Sequence, residues 1–387
     1  MSAVQFILSS AFSIIPPVIP LLLPAMGVHE PAAVRIWAGA VLGVTPLGAA
    51  LMSPWWGNLS DRVDRRLIIL ISCTAVAVCT ALMSRVTHPA QLLALRFCMG
   101  LFGGHVAAAM ALVCAVTPAV RLGLALGWLA TAQLAGSLLG PLIGGAIADA
   151  FSSLRAPFFG ASLATLLVAA AILLVPSPAR SAAAPAADGA PDSPASRWPR
   201  RELWTLIIVL LLAQCAIMSP QPIVSLLVLE LVGQRAQLAS LAGFAFSVVA
   251  LSGLIGSPLL GRLGDSMGAR RVLLLSVVAA AVCTLPQAIA TRYGWFVAER
   301  FLAGLFLAGI IPTVNALIGK RVGDAGRGRV YGITASASFL GAFLGPAAGG
   351  VLAAELGLRS VFLGSAALLL SAALWIAARL PPTARGR

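Results

Sequence analysis

Apolar residues run through this chain in twelve blocks near 4–25, 34–56, 67–86, 90–115, 122–148, 157–176, 203–229, 238–260, 272–291, 294–318, 329–352 and 360–380. An α-helix needs about 20 such residues to cross the hydrocarbon of a bilayer. The breaks between blocks are short, except at 177–202, which is rich in Pro, Ala, Ser and Arg and reads as a flexible linker. The pattern predicts an all-α membrane protein with twelve transmembrane helices in two six-helix bundles, 1–176 and 203–387. The first block lacks a basic leading segment and contains Pro16, Pro17, Pro20 and Pro24, which predicts a spanning helix rather than a cleaved signal peptide.

Composition supports the same solvent. Of the 387 residues, 60% are hydrophobic and 10% charged, against about 45–50% and about 25% in soluble domains. So little charge cannot solvate the outer faces of a soluble enzyme of this length. The net charge of +14 would suggest nucleic acid in a soluble protein, but its distribution gives it another meaning. Eighteen of the 26 cations fall on one side of the predicted spans. Six fall on the other (Arg35, Arg85, Arg155, Arg235, Arg292 and Arg359), and Arg96 and Arg300 lie inside spans. Cationic loops stay in the cytoplasm, so both termini and the linker are expected there, in a multi-pass protein of the bacterial inner membrane. The six cysteines lie inside apolar runs with no CxxC spacing, which suggests neither a disulfide framework nor a metal site.

The second half repeats the first. At an offset of 204 residues, Gly57 and Asp61 match Gly261 and Asp265. In the same register Arg96, Phe97, Gly100, Leu101 and Phe102 match Arg300, Phe301, Gly304, Leu305 and Phe306, and Pro16 matches Pro220. At an offset of 205, Gly127, Gly136, Gly140, Pro141, Gly144 and Gly145 match Gly332, Gly341, Gly345, Pro346, Gly349 and Gly350. An internal repeat of this kind predicts two pseudo-symmetric halves of the same membrane orientation.

The repeated segments also carry a family resemblance. GNLSDRVDRR (57–66) and GRLGDSMGARR (261–271) resemble the G-x-L-x-D-R-x-G-R-R signature of the major facilitator superfamily, and both glycine series fit G-x8-G-x3-G-P-x2-G-G, a pattern similar to that of its exporters. LALRFCMGLFGG around Arg96 resembles the fourth-helix motif of the 12-helix drug:proton antiporters, and the whole chain is most similar to bacterial multidrug exporters of the quinolone type. The resemblance implies the major facilitator fold and a gating charge cluster of Gly57, Asp61, Arg62, Arg65 and Arg66, with Gly261, Asp265, Arg270 and Arg271 in the second half. One departure stands out: Asp64 occupies the position of the signature's second glycine.

The residues themselves suggest roles. Gly136, Gly140 and Gly144 recur every four positions and form a smooth ridge on which a helix can pack closely, and Pro141 bends its helix. The expected use is a rocking seam. Arg96 and Arg300 sit about seven residues inside their spans, roughly 10 Å deep at the helical rise. Intramembrane charge usually faces a cavity, although a guanidinium at this depth can also snorkel. The resemblance implicates Arg96 in proton coupling. His105, Glu230, Glu299 and Arg300 are further coupling candidates, with Glu30 and Asp61 as alternatives. Ser9 and Ser13 in helix one, Gln214, Met218, Gln221 and Ser225 in helix seven, and Asn315 in helix ten are substrate-binding candidates. Prolines are expected to interrupt helices one and seven.

None of the twelve acids sits at the midpoint of a span, which weakens a cation-specific reading. No nucleotide-binding signature is present, and His105 has no partner at helical spacing for intramembrane catalysis. The expectation is a non-enzymatic secondary transporter without metal or cofactor, exporting small amphiphilic compounds by alternating access with protons as the coupled ion. Its partners would be a small-molecule substrate, protons and the lipid bilayer, with no nucleic acid, and it would work as a monomer. The alternative cargo is an endogenous metabolite such as a siderophore.

Overall fold

The computed structural model describes residues 1–103, 109–110, 112–114, 117–118, 121–174, 200–319 and 327–380. Most of the expected linker lies outside them, as do residues 104–108, 111 and 115 of the expected fourth span. The first half contains α1 (Ser2–Leu22), α2 (Pro31–Arg62), α3 (Arg65–Met83), α4 (Pro89–Leu101), α5 (Leu122–Ala150) and α6 (Ala156–Leu174). The second contains α7 (Arg200–Met218), α8 (Gln221–Val232), α9 (Leu238–Met267), α10 (Ala269–Thr284), α11 (Tyr293–Gly319), α12 (Arg327–Leu356) and α13 (Ser360–Arg379). Among the described residues, eleven helical segments are long and apolar enough to cross a membrane, α7 and α8 together forming one of them, and the shorter α4 stands at the fourth expected span.

A bilayer explains why these residues form helices and where their side chains point. Lipid offers no hydrogen bonds, so a spanning backbone must satisfy its own. Large apolar side chains such as Leu51, Trp128, Leu167, Ile289 and Leu374 are exposed on the helices. In water such a surface would aggregate, whereas here it faces hydrocarbon. The buried core is built separately in each half. In the first, Leu8, Ile15, Ile69, Val76, Leu92 and Phe158 cluster; in the second, Leu206, Leu210, Val277, Val314, Leu369 and Ile376 do so. Helix α1 packs on α5 and α6, α2 on α4, and α3 on α6; likewise α7 packs on α12 and α13, and α10 on α11 and α13.

The chain forms two compact units, residues 1–184 with 222–247, and residues 185–221 with 248–387. The segment 222–247, which follows the first break in the second repeat, therefore packs with the first half.

The prolines act differently in the two repeats. Helix α1 stays helical from Ser2 through Pro16, Pro17 and Pro20 to Leu22, so the expected interruption of helix one does not occur. Buried Ile14, Ile15, Val18 and Ile19 surround the prolines and hold the helix where backbone bonds are missing. The seventh span does break, at Ser219–Pro220 between α7 and α8. There the Ser219 carbonyl presses on Gly349 of α12, where no Cβ would fit.

Candidate functional site

The arginine-rich turn of the first half is organised by the residue that departs from the signature. Asp64 precedes α3, and its carboxylate accepts the Arg66 N–H at 2.9 Å, satisfying one of the amides that a helix leaves free at its start. The Arg66 guanidinium then reaches the end of α6, donating from Nε to the Ile172 carbonyl at 3.0 Å and from Nη2 to the Leu173 carbonyl. Arg270 repeats the arrangement on α13, donating to the carbonyls of Leu380 at 2.7 Å and Ala377 at 3.5 Å. Carbonyls at a helix C-terminus lack intrahelical donors and carry partial negative charge, so a cation is favourable there. Both arginines are thus held inside their own half. Gly261, Asp265 and Arg271 are exposed, and the side chains of Asp61, Arg62 and Arg65, with Gly57, lie outside the description. At the other end of each half, Arg155 donates to the Val86 carbonyl at 2.9 Å and Arg359 to the Ala288 carbonyl at 3.3 Å.

The glycine ridges have defined neighbours. A Cβ on Gly136 would fall 2.5 Å from the Phe6 carbonyl oxygen, and one on Gly140 2.7 Å from that of Ser10. Gly144 faces Ile14. In the second half Gly341 and Gly345 meet the carbonyls of Leu211 and Cys215 at 2.6 and 2.5 Å by the same measure, and Gly349 meets Ser219. Each ridge therefore packs on the first helix of its own half. Pro141 and Gly145 lie elsewhere on α5 and meet α9, the Pro141 carbonyl against Gly243 and Gly145 against the Ala239 carbonyl. Gly127 and Gly332 face open space, while Pro346 and Gly350 are buried in α12.

The same packing places the binding candidates. The Cβ atoms of Ser9 and Ser13 border Gly136 and Gly140, and those of Gln214 and Met218 border Gly341 and Gly345. All four are half-buried, as are Gln221 and Asn315. Gln214 has its amide oxygen buried without a hydrogen-bond partner, as does Gln5 in α1. Ser225 is fully buried and committed, its hydroxyl donating to the Pro17 carbonyl at 2.7 Å.

The coupling candidates separate clearly. Arg96 is 4% exposed between α2 and α4. Its Nε donates to the Val41 carbonyl at 3.4 Å, while its own carbonyl accepts from Thr45 Oγ1 at 3.0 Å. Arg300 stacks over the Phe296 ring at 5.7 Å. Glu230 is exposed, and His105 lies outside the described residues. Glu299 is 5% exposed, and neither carboxyl oxygen has a hydrogen-bond partner; the Trp295 indole one turn back approaches it without reaching bonding geometry. Among the described residues no group of three His, Cys, Asp or Glu side chains could hold a metal ion.

Sequence reasoning missed Asp149. Its carboxylate accepts the backbone N–H groups of Ala239 at 3.2 Å and Ser240 at 2.8 Å, at the start of α9. The available signal was its spacing: Asp149 lies one helical turn beyond Gly145, on the same face of α5.

The family model described as Major Facilitator Superfamily matches residues 1–239 and 236–387. The chain is 32% identical over 365 residues to the multidrug resistance protein MdtG of Enterobacter lignolyticus, covering 94% of this chain and 87% of that protein. It is 31% identical over 378 residues to MdtG of Proteus mirabilis, covering 97% and 94%. Its fold is similar to the crystal structure of a bacterial homolog of the human lysosomal transporter Spinster in an inward-facing and occupied conformation (TM-score 0.79, 15% identity, covering 98% and 95%). It is also similar to that of the nucleoside transporter NupG (TM-score 0.74, 14% identity, covering 99% and 100%). With an all-helical membrane fold and a match across its whole length, the chain belongs to the major facilitator superfamily and is a membrane transporter, not an enzyme.

Proposed function

We propose that this protein is a multidrug exporter of the bacterial inner membrane, moving small amphiphilic compounds outward by alternating access in exchange for protons. The observation that carries this reading is the similarity to the MdtG multidrug resistance proteins over more than nine-tenths of the chain. The repeated geometry supports it. Each half has its own core, ridge and arginine caps, which suits two bundles, 1–176 and 203–387, that rock as bodies within a single chain. The three-to-one bias of cations supports cytoplasmic termini.

Each half offers the cargo half-buried polar groups in apolar surroundings, Ser9 and Ser13 on α1 in the first, and Gln214 and Met218 on α7 with Gln221 at the start of α8 in the second. An amide oxygen buried without a partner at Gln214 supports recognition of a hydrogen-bond donor on an otherwise apolar solute. Glu299 is the favoured carrier of the proton. A carboxylate buried without partners is an uncompensated charge, which a bound proton removes.

Uptake of a compound panel into inverted vesicles, with lumenal pH followed alongside, tests the reading. Substrate should enter against its gradient while the acid lumen becomes more alkaline, and an uncoupler should abolish uptake. Uptake unaffected by collapse of the proton gradient would sink proton coupling. A deletion strain with unchanged drug susceptibility but lost secretion of a metabolite would replace drugs with an endogenous cargo.

A further inference from the structure

Helices α5 and α9 run antiparallel along a seam described by four contacts. Ser247 Oγ donates to the Leu138 carbonyl at 2.6 Å. The Pro141 carbonyl lies against Gly243, and Gly145 against the Ala239 carbonyl. Asp149 closes the end of the seam on the amides of Ala239 and Ser240. The α5 positions 138, 141, 145 and 149 recur every three or four residues, and the α9 positions 247, 243 and 239 that meet them recur every four in the opposite direction, so each helix commits one face. Glycine permits the backbones to touch, and such contacts form and part without rearranging long side chains.

Three of the four contacts are neutral. The fourth joins a carboxylate to the second and third residues of α9, where amides have no intrahelical acceptor and the helix carries partial positive charge. Charge-assisted bonds of this kind are the stronger class. The turn after Asp149 is also specialised. Ser152 is the one non-glycine among the described residues with positive φ, at 48°, and the repeat places Gly357, at 89°, in the equivalent position. The left-handed residue stops α5 within one turn of Asp149. A cleft of about 410 Å³ beside this contact is lined by Asp149, Ser152, Gln234 and Arg235 together with Leu226 and Leu229, so solvent can reach the carboxylate when the seam parts.

We propose that Asp149 is the latch of the outer gate: its carboxylate holds the first turn of α9 on α5 while the path is closed to the outside, and releases those amides when it opens. The inference rests on the alternating-access reading, because a gate has meaning only if α9 departs from α5 during the cycle. The first ten residues of α9 lie in one compact unit and the remainder in the other, so the helix passes from the latch directly into the second half. Asp149 acts on the backbone of α9 and is therefore a positioning residue rather than a binding one.

Spin labels at Phe151→Cys and Gln237→Cys, both exposed positions, in a background without native cysteines, would report the latch distance in nanodiscs by pulsed dipolar spectroscopy. No substrate or proton gradient is needed, so failure of the latch is distinguishable from failure of the export reading. The unsubstituted chain should show mainly the short distance, and Asp149→Asn should raise the ratio of long to short by about tenfold, the order expected when a charge leaves a helix terminus. Ser247→Ala removes a neutral bond from the same seam and should shift the ratio much less, and Asp149→Glu should restore the short distance in part. Equal distributions in Asp149→Asn and Ser247→Ala would overturn the proposal. Should Asp149→Asn not fold, an unchanged distribution in Asp149→Glu, whose longer arm misplaces the carboxylate, would overturn it equally.

Discussion

Asp149 and Ser240 are 91 residues apart in sequence, yet the carboxylate of one accepts the backbone N–H of the other at 2.8 Å. Below this contact Gly243 touches the Pro141 carbonyl, which leaves no volume for a side chain. Gly243→Val should therefore be inserted in the membrane but transport at least about tenfold more slowly, because overpacking of a tight contact costs about 1–3 kcal/mol. Transport assays on vesicles matched for protein content check this, and normal rates would mean that the seam is not part of the cycle.

The two kinds of motif glycine should respond in opposite ways. Gly140 has no room for a Cβ, whereas Gly127 faces open space. Gly140→Ala should lower stability by about 1–3 kcal/mol through forced separation of α1 and α5. Gly127→Ala should leave it unchanged or raise it by up to about 1 kcal/mol, since alanine favours the helix. Thermal unfolding in detergent separates the two, and Gly345→Ala with Gly332→Ala repeats the comparison in the second half.

Arg66 and Arg270 each cap the last helix of their half. Alanine at either position leaves helix-terminal carbonyls without these donors and should cost about 1 kcal/mol, lowering the midpoint of unfolding. Lysine should recover only part of the loss, because an ammonium cannot reproduce the fork of the guanidinium. Full stability of both alanine variants would return these residues to a purely electrostatic role.

Asp64 should behave as a helix cap. Asp64→Ala is expected to cost about 1 kcal/mol and Asp64→Gly only a few tenths, the usual order at this position. The glycine variant also restores the family signature, so near-normal stability with unaltered transport would show that the departure is a local solution to starting α3.

Glu299→Gln keeps the volume of the side chain and removes its ability to exchange a proton. Net proton-driven efflux should fall by more than about tenfold, while exchange of labelled for unlabelled substrate, which needs no net proton movement, should continue. Retained gradient-driven transport would move the coupled proton to another group.

Much of the fold is legible along the chain because its causes are local. Lipid demands apolar runs of a fixed length, so the spans appear in composition; the repeat appears because the same within-half contacts, such as those of Arg66 and Arg270, require the same residues twice. The small-residue face of Gly136, Gly140 and Gly144 follows from helical period alone. What that face touches does not. Only tertiary structure shows that it packs on α1, and that α1 stays helical through its prolines where α7 and α8 part at Ser219–Pro220. Asp149 makes the same point most sharply. Its spacing from Gly145 put it on a face, but its partners are backbone amides, which every residue possesses and no sequence pattern marks.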